Sequence, residues 1–485
     1  MARFLGVDVG TTLCTAVVVD DHGTVLASRS AAIPTQRPAS GRVEQDPQDL
    51  LAAFDAAVDP LVASHKPDAV GVANQGESFV LWDRFTGLPL TPNIVWEDQR
   101  GAAVCEALSK KLPSPTWLTE KTGLRLDSYF SAPKLAAVFQ AQPQLFDAAR
   151  AGRLLFGTVE TWVLWKRSGG RLHVTDPSTA SRTLLFNIHD LRWDPELLAL
   201  FDIPEAILPE VRPTAGFLGA VTPGLPIHAL VVDQQAALFG QACFVAGQGK
   251  CTFGTGSFLL VNTGATPLAS SQGLLTTVAW QLHGATSYAL DGGVFCVGSA
   301  MQWLTQHLGV LDNVESSSAV AQANEDHDVM VVPALSGLAA PRWLTHVRGA
   351  VFGLTHASTG ASLVRGTLDG IACQVFEVAR AMEQDLGGPL GSFKVDGGPS
   401  RNAYLMQTLA DLLQTPVLVA AQQESTALGA ANLARHALTG IALPDLAAQW
   451  RASKTYQPQP GSRREVLLQR WGRAVAALAG YHAAP

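Results

Sequence analysis

Charge is scarce in this chain: Asp, Glu, Lys and Arg make up 15% of its 485 residues, against about a quarter in an average soluble protein. No block of five or six like charges occurs, and the net charge of −7 gives no electrostatic footprint for nucleic acid. Such a field would not steer an anion inward either, so any phosphate must be met by local backbone amides, side chains or a metal ion. The six cysteines are far apart, with no CxxC pair and no metal-ligand spacing, and read as reduced, mostly buried thiols. No apolar run reaches membrane length, and Asp8 interrupts the first apolar segment too early for a signal peptide. The cytoplasm is the expected location, with no membrane and no nucleic acid as partner.

Hydrophobic residues, at 47%, are ordinary in amount, so the chain can bury large cores. Its length predicts two to four domains with a cleft between them. Phe4 to Val9 and Ala16 to Val19 read as the two arms of a hairpin with Gly10-Thr11-Thr12 at its tip. A strand over Asp68 to Ala73 leads into Asn74-Gln75-Gly76-Glu77, and Phe79 to Trp82 follows as another. Helical patterns dominate from Ala102 to Ala151, broken at Pro113 to Thr116 and Gly123 to Tyr129, and are expected to pack on the sheet. Leu225 to Val232 is again strand-like, and Gln234 to Gln241 is a helix. A boundary near Ala246 to Gly249 divides the chain.

The second half opens with Cys251 to Gly264, two apolar arms around Gly-Thr-Gly, which echoes Gly6 to Val19. One phosphate-sized Gly/Thr hairpin at the start of each half suggests two related domains facing each other. Ala361 to Leu386 has helical period. Phe393 to Val395 is a strand that ends in Asp396-Gly397-Gly398 before a helix over Asn402 to Leu413, an arrangement that aims backbone amides at an anion. Pro458 to Gly461 reads as a link to a terminal helix over Ser462 to His482.

Asp233 stands at the end of one apolar strand and the start of a helix, where a carboxylate can accept a proton from a substrate hydroxyl. Asp is also favoured as a simple helix cap. Gly10, Thr11 and Thr12 can offer amides and hydroxyls to phosphate, Thr255 and Gly256 offer the same device from the second half, and Asp8 can hold a hydrated magnesium ion. Glu77, Tyr129 and Gln234 with the faces of Trp96 and Phe258 suit a small polyhydroxylated molecule, although aromatic side chains more often serve core packing.

In order along the chain, GVDVGTT from Gly6, GVANQGES from Gly71, IVWEDQR from Ile94, TGLRLDSYFSAPK from Thr122, HVTDPSTASRTLLFNIH from His173, VDQQAALFGQ, FGTGSF, VDGGPSRNAYLMQ from Val395 and TALGAA from Thr426 resemble the FGGY family of carbohydrate kinases, and within it the glycerol kinases. The resemblance covers about Phe4 to Gly440. It implies an α/β, actin-like (ribonuclease-H-like) ATPase fold of two similar domains, residues 1–246 and 247–440, with ATP in the cleft and a helical tail over 441–485. It further implies phosphoryl transfer from ATP to a primary hydroxyl of glycerol or a related small polyol or sugar. Asp233 becomes the general base, and it and Asp8 lie near magnesium. Thr11, Thr12, Thr255, Gly298, Gln302, Gly398 and Asn402 surround the nucleotide. Glu77, Trp96, Tyr129, Asp233, Gln234 and Phe258 form the substrate site. A homodimer is consistent with the resemblance. The alternatives are a tetritol, pentitol or ketose such as xylulose as acceptor, or a nucleotide-binding homologue of low turnover.

Three positions depart from the glycerol kinase pattern. Gly76 replaces an arginine, and losing a charged hydrogen bond worth about 1.5 to 3 kcal/mol predicts roughly 10- to 100-fold weaker glycerol binding and room for a larger acceptor. Leu13, Cys14 and Thr15 replace a basic residue after the first hairpin's threonines. The segment Gly219 to Ile227 lacks a Gly- and Arg-rich loop, which predicts no inhibition by fructose 1,6-bisphosphate.

Overall fold

The computed structural model describes residues 2–222, 225–324, 328–461 and 463–482. The first hairpin forms as expected, with β1 (Arg3–Val9) antiparallel to β2 (Leu13–Asp20), which pairs in turn with β3 (Val25–Ala32). On the other side of β1 the strands run parallel: β4 (Ala69–Asn74) pairs with β1, and β6 (Leu225–Val232) pairs with β4, with β5 (Ala215–Thr222) at the edge. Parallel strands are buried on both faces, which is why β4 reads as a continuous apolar run. Helix α1 (Asp233–Gly240) leaves the end of β6.

The second half repeats this plan. β7 (Gln248–Phe253) is antiparallel to β8 (Ser257–Gly264), and β9 (Leu275–Leu282) and β10 (Ala285–Val294) extend the antiparallel side in the order β9-β10-β8-β7. Helices α2 (Gly298–Gln306) and α3 (Gly360–Leu386) follow. β11 (Ser392–Asp396) is parallel to β7; α4 (Ala403–Leu413) and then β12 (Val417–Ala420), parallel to β11, complete the motif. The faint Gly/Thr echo in the sequence therefore marks a repeated sheet.

Helix α5 (Ser425–Thr439) lies in the second half of the chain yet packs against β1, β4 and α1 of the first. Its backbone comes so near that a Cβ on Gly6 would be 1.8 Å from Ala427 O, and one on Gly71 would be 2.0 Å from Ala430 O. Only glycine allows that approach. Helix α1 makes the reciprocal crossing and packs on β7 and β8. The resulting core mixes Phe4, Val231 and Phe239 with Leu260, Trp280 and Leu433, so the halves meet through an apolar seam along their crossed helices.

Two expectations change. The helices over Ala102–Ser109, Ser131–Ala141 and Pro143–Arg150 do not pack on the large sheet. They cover a separate small sheet built from Glu44–Gln45, Phe79–Asp83, Asn93–Ile94 and Leu154–Thr158, sharing a core with Phe79, Leu81 and Phe156. The tail is not wholly helical: β13 (Ala452–Tyr456) adds an antiparallel strand to β12, and α6 (Arg464–His482) buries Leu467, Trp471 and Val475 against the second core. Residues 223–224, inside the short Gly219 to Ile227 segment, and Ser462 lie outside the described residues. No helix among the described residues is long and apolar enough to cross a membrane.

Candidate active site

The parallel strands β1, β4 and β6 end at the same edge and deliver Asp8, then Gln75-Gly76-Glu77, then Asp233. Asp233 is not a helix cap. Val232 occupies the cap position, no side chain caps the helix, and Asp233 Oδ1 accepts the N–H of its own neighbour Gln234 at 2.7 Å. A carboxylate in the first turn gains from the helix dipole, so Asp233 is anchored by the start of its own helix. Burial pushes its pKa up. Asp8 is pushed up well above the usual carboxylate range by burial and then by the charges of Asp233 and Glu424, and its Oδ1 is buried without a hydrogen-bond partner.

Glu77 is buried and holds a left-handed φ of 61°, costly for a residue with a Cβ. Its carbonyl accepts the Ser131 hydroxyl at 3.0 Å, and its carboxylate is held by Arg182, also buried, whose Nε donates to Glu77 Oε1 at 2.6 Å. The guanidinium reaches on to Asp291 Oδ2 at 3.0 Å, on β10 of the second half, and lies over the rings of Tyr129 and Phe130 at 5.8 and 5.5 Å. Burial raises the Glu77 pKa to about 7 in spite of the arginine. Burial lowers the Arg182 pKa less than Glu77 and Asp291 raise it, so the guanidinium stays charged.

Trp96 packs edge-on against both Tyr129, at 5.6 Å between centroids, and Phe258, at 6.2 Å. Its indole N–H donates to Thr11 Oγ1 at 3.0 Å, so the aromatic wall touches the tip of the first hairpin. Lys250, buried inside β7, donates to Gln234 Oε1 at 2.6 Å and to Thr252 Oγ1 at 3.0 Å. Since ammonium only donates, this fixes the Gln234 carbonyl towards Lys250 and leaves its NH2 for another acceptor.

Across the cleft, Thr255 sits exposed at the tip of the β7–β8 hairpin, and its carbonyl accepts the N–H groups of Val297 and Ser299 at 3.0 and 3.1 Å. A Cβ on Gly298 would be 2.6 Å from Gly254 O, so glycine there lets the start of α2 close on the hairpin. Gln302 is exposed one turn along α2, and Gly398 faces open space. Asn402 caps α4, accepting from Leu405 N and donating to Ser317 Oγ, both at 2.9 Å, so its amide serves the local fold. Thr12 is exposed at the first hairpin tip, whereas Cys14 and Thr15 turn inward, Thr15 pairing with Ser30.

The structure thus gathers Asp8, Thr11, Glu77, Trp96, Tyr129, Asp233, Gln234 and Phe258 at one end of the cleft. It adds Arg182, Lys250 and Asp291, which the sequence reading did not assign. A lone lysine inside the apolar arm of a hairpin was the available signal for Lys250. Arg182 carried none, because its partners lie 105 and 109 positions away. At Gly76 the space next to the backbone is filled: a Cβ at that position would lie 2.7 Å from Val232 Cγ2.

Paired sheets with crossed helices, Gly/Thr hairpins on both sides of a cleft and a carboxylate at a strand end define a two-domain phosphotransferase of the actin-like ATPase fold. The chain belongs to the FGGY family of carbohydrate kinases: the family's N-terminal domain matches residues 3–240 and its C-terminal domain residues 249–438. It is 44% identical to a glycerol kinase of Aromatoleum aromaticum over 100% of both chains, and 44% identical to one of Thermus brockianus over 99% of each. A crystal structure of Plasmodium falciparum glycerol kinase with ADP superposes with a TM-score of 0.91 at 30% identity, covering 99% of this chain and 98% of that one.

Proposed function

We propose that this kinase transfers the γ-phosphoryl group of ATP to a primary hydroxyl of glycerol or a polyol of similar size, with Asp233 as the general base. The observation that carries this reading is the placement of Asp233: anchored by one backbone N–H, beside Asp8, and next to the buried Glu77–Arg182 pair and the Trp96–Tyr129–Phe258 wall. Glycerol kinase relatives matched along their whole length support the acceptor class.

In this reading Glu77 accepts from acceptor hydroxyls, the Gln234 NH2 donates to one, and the aromatic edges cover the carbon skeleton. The hydroxyl O–H bond breaks towards Asp233 as its oxygen bonds to the γ-phosphorus, and the bond from that phosphorus to the bridging oxygen of ADP breaks. Thr11, Thr12 and Thr255 line the phosphate side, with Gly298, Gln302, Gly398 and the capped helix start at Asn402 around the rest of the nucleotide.

Asp8 and Asp233 are the residues that would hold magnesium. The unpartnered Asp8 Oδ1 and the mutual repulsion of the two carboxylates suit a cation. No cluster of three or more metal-ligating side chains exists among the described residues; magnesium usually keeps most of its waters and needs few protein ligands. When bound, the ion neutralises phosphate charge. Residues 1–246 and 247–440 act as the two closing bodies, with 441–485 extending the second.

The test is ADP release over a panel of glycerol, tetritols, pentitols and ketoses, for the wild type and Asp233→Asn. Release that depends on glycerol and is lost in the variant is the expected result. Turnover retained by a folded Asp233→Asn, or no acceptor-dependent release at all, would sink the assignment.

A further inference from the structure

Gly76 and Val232 immediately precede Glu77 and Asp233, the two carboxylates of the acceptor site, at the ends of the neighbouring parallel strands β4 and β6. The direction in which a side chain at position 76 would leave the backbone is closed. Val232 Cγ2 lies 2.7 Å from that Cβ position, and the Arg182 stem bounds it at 3.7 and 3.9 Å. None of these neighbours can give way cheaply. Val232 is β-branched, with few χ1 choices, it is 2% exposed, and its N–H is tied to Ser178 Oγ at 2.9 Å. Arg182 is held by Glu77 and Asp291, and Glu77 already sits at a positive φ, so the backbone after Gly76 has little freedom to turn aside.

We propose that Gly76 and Val232 form one steric unit that sets acceptor selection. The valine isopropyl takes the volume that a side chain at 76 would enter, keeping the site at the size of a three-carbon polyol while making this wall hydrocarbon. This deepens the kinase reading above and rests on it. The acceptor class it specifies is a small triol or diol whose hydroxyls are met by Asp233, Gln234 and Glu77, and whose edge towards residue 76 receives no hydrogen bond. Longer polyols are excluded by Val232, not by a side chain at 76.

The test compares the wild type, Val232→Ala, Gly76→Ala and the double variant by melting temperature and by kcat/KM on glycerol and a tetritol. Freeing methyl volume beside a reacting centre is worth about 10-fold or more in selectivity. Val232→Ala is therefore expected to raise the tetritol-to-glycerol ratio by about that factor. Gly76→Ala is expected to melt lower, and adding Val232→Ala to it to restore melting to that of Val232→Ala alone. An unchanged ratio in Val232→Ala, or melting losses that simply add, overturns the proposal. Should the wild type phosphorylate no polyol, the function proposed above falls, and the melting cycle alone still upholds or overturns the steric unit.

Discussion

Arg182→Met keeps most of the side-chain volume and removes the charge that joins Glu77 of one half to Asp291 of the other. Both carboxylates are buried, so solvent cannot compensate. Removing one partner of a buried ion pair costs about 3 to 5 kcal/mol, chiefly because it strands the remaining charge. Spread over the unfolding entropy of a unit of about 240 residues, that is a fall in melting temperature on the order of 5 to 10 °C. The loss depends on pH. Glu77 already has a pKa raised to about 7 by burial, and Arg182 acts to lower it; without the arginine it rises further. The variant can then relieve the strain by binding a proton, and does so more completely at pH 6 than at pH 9. Scanning calorimetry at those two values should show the larger loss at pH 9. Acceptor KM should rise about 10- to 100-fold, the equivalent of one charged hydrogen bond of roughly 1.5 to 3 kcal/mol, because Glu77 loses the ion pair that positions its carboxylate. Adding Glu77→Gln to Arg182→Met should recover part of the stability. A variant that melts within about 1 °C of the wild type at both pH values, with KM within twofold, would refute the reasoning.

Asp233→Asn should lower kcat by about 10²- to 10⁴-fold, the usual worth of a general base, with acceptor KM little changed in steady-state assays. Lys250→Met should free the Gln234 amide to turn and raise acceptor KM by about 10-fold, while glutamine at 250, still able to donate to the Gln234 carbonyl, should recover part of that loss. Glu77 also makes stability pH-dependent: with its folded pKa raised from 4.5 to about 7, its contribution is complete below the unfolded value and is lost as pH rises through about 7. Melting curves of the wild type against Glu77→Gln between pH 4.5 and 8 should therefore diverge in that window, and parallel curves would contradict the assignment.

Much of the site's outline is local in the sequence. Asp8 and Asp233 are legible because each lies at or next to the end of an apolar strand-like run beside a turn or helix start, a pattern set by backbone periodicity. The two Gly/Thr hairpins are likewise contained in short segments, so their repetition was visible without coordinates. The helices over residues 102–150 were recognisable as helices, but an apolar stripe says only that a face is buried and not against which sheet; their partner is the small sheet that begins at Glu44.

By itself the sequence determined the strands, the hairpins, the carboxylates that end them and the family to which the chain belongs, because these depend on neighbours within a few positions. Only the tertiary structure decided that α1 and α5 cross to the opposite sheets, where Gly6 and Gly71 let helix meet strand. It alone showed Arg182 bridging Glu77 and Asp291, and Lys250 setting the Gln234 amide. It also showed what lies against Gly76. From sequence a missing side chain reads as empty space, whereas in the fold that space belongs to Val232, 156 positions away. Occupied volume is a property of close packing between distant segments, and no local pattern records it.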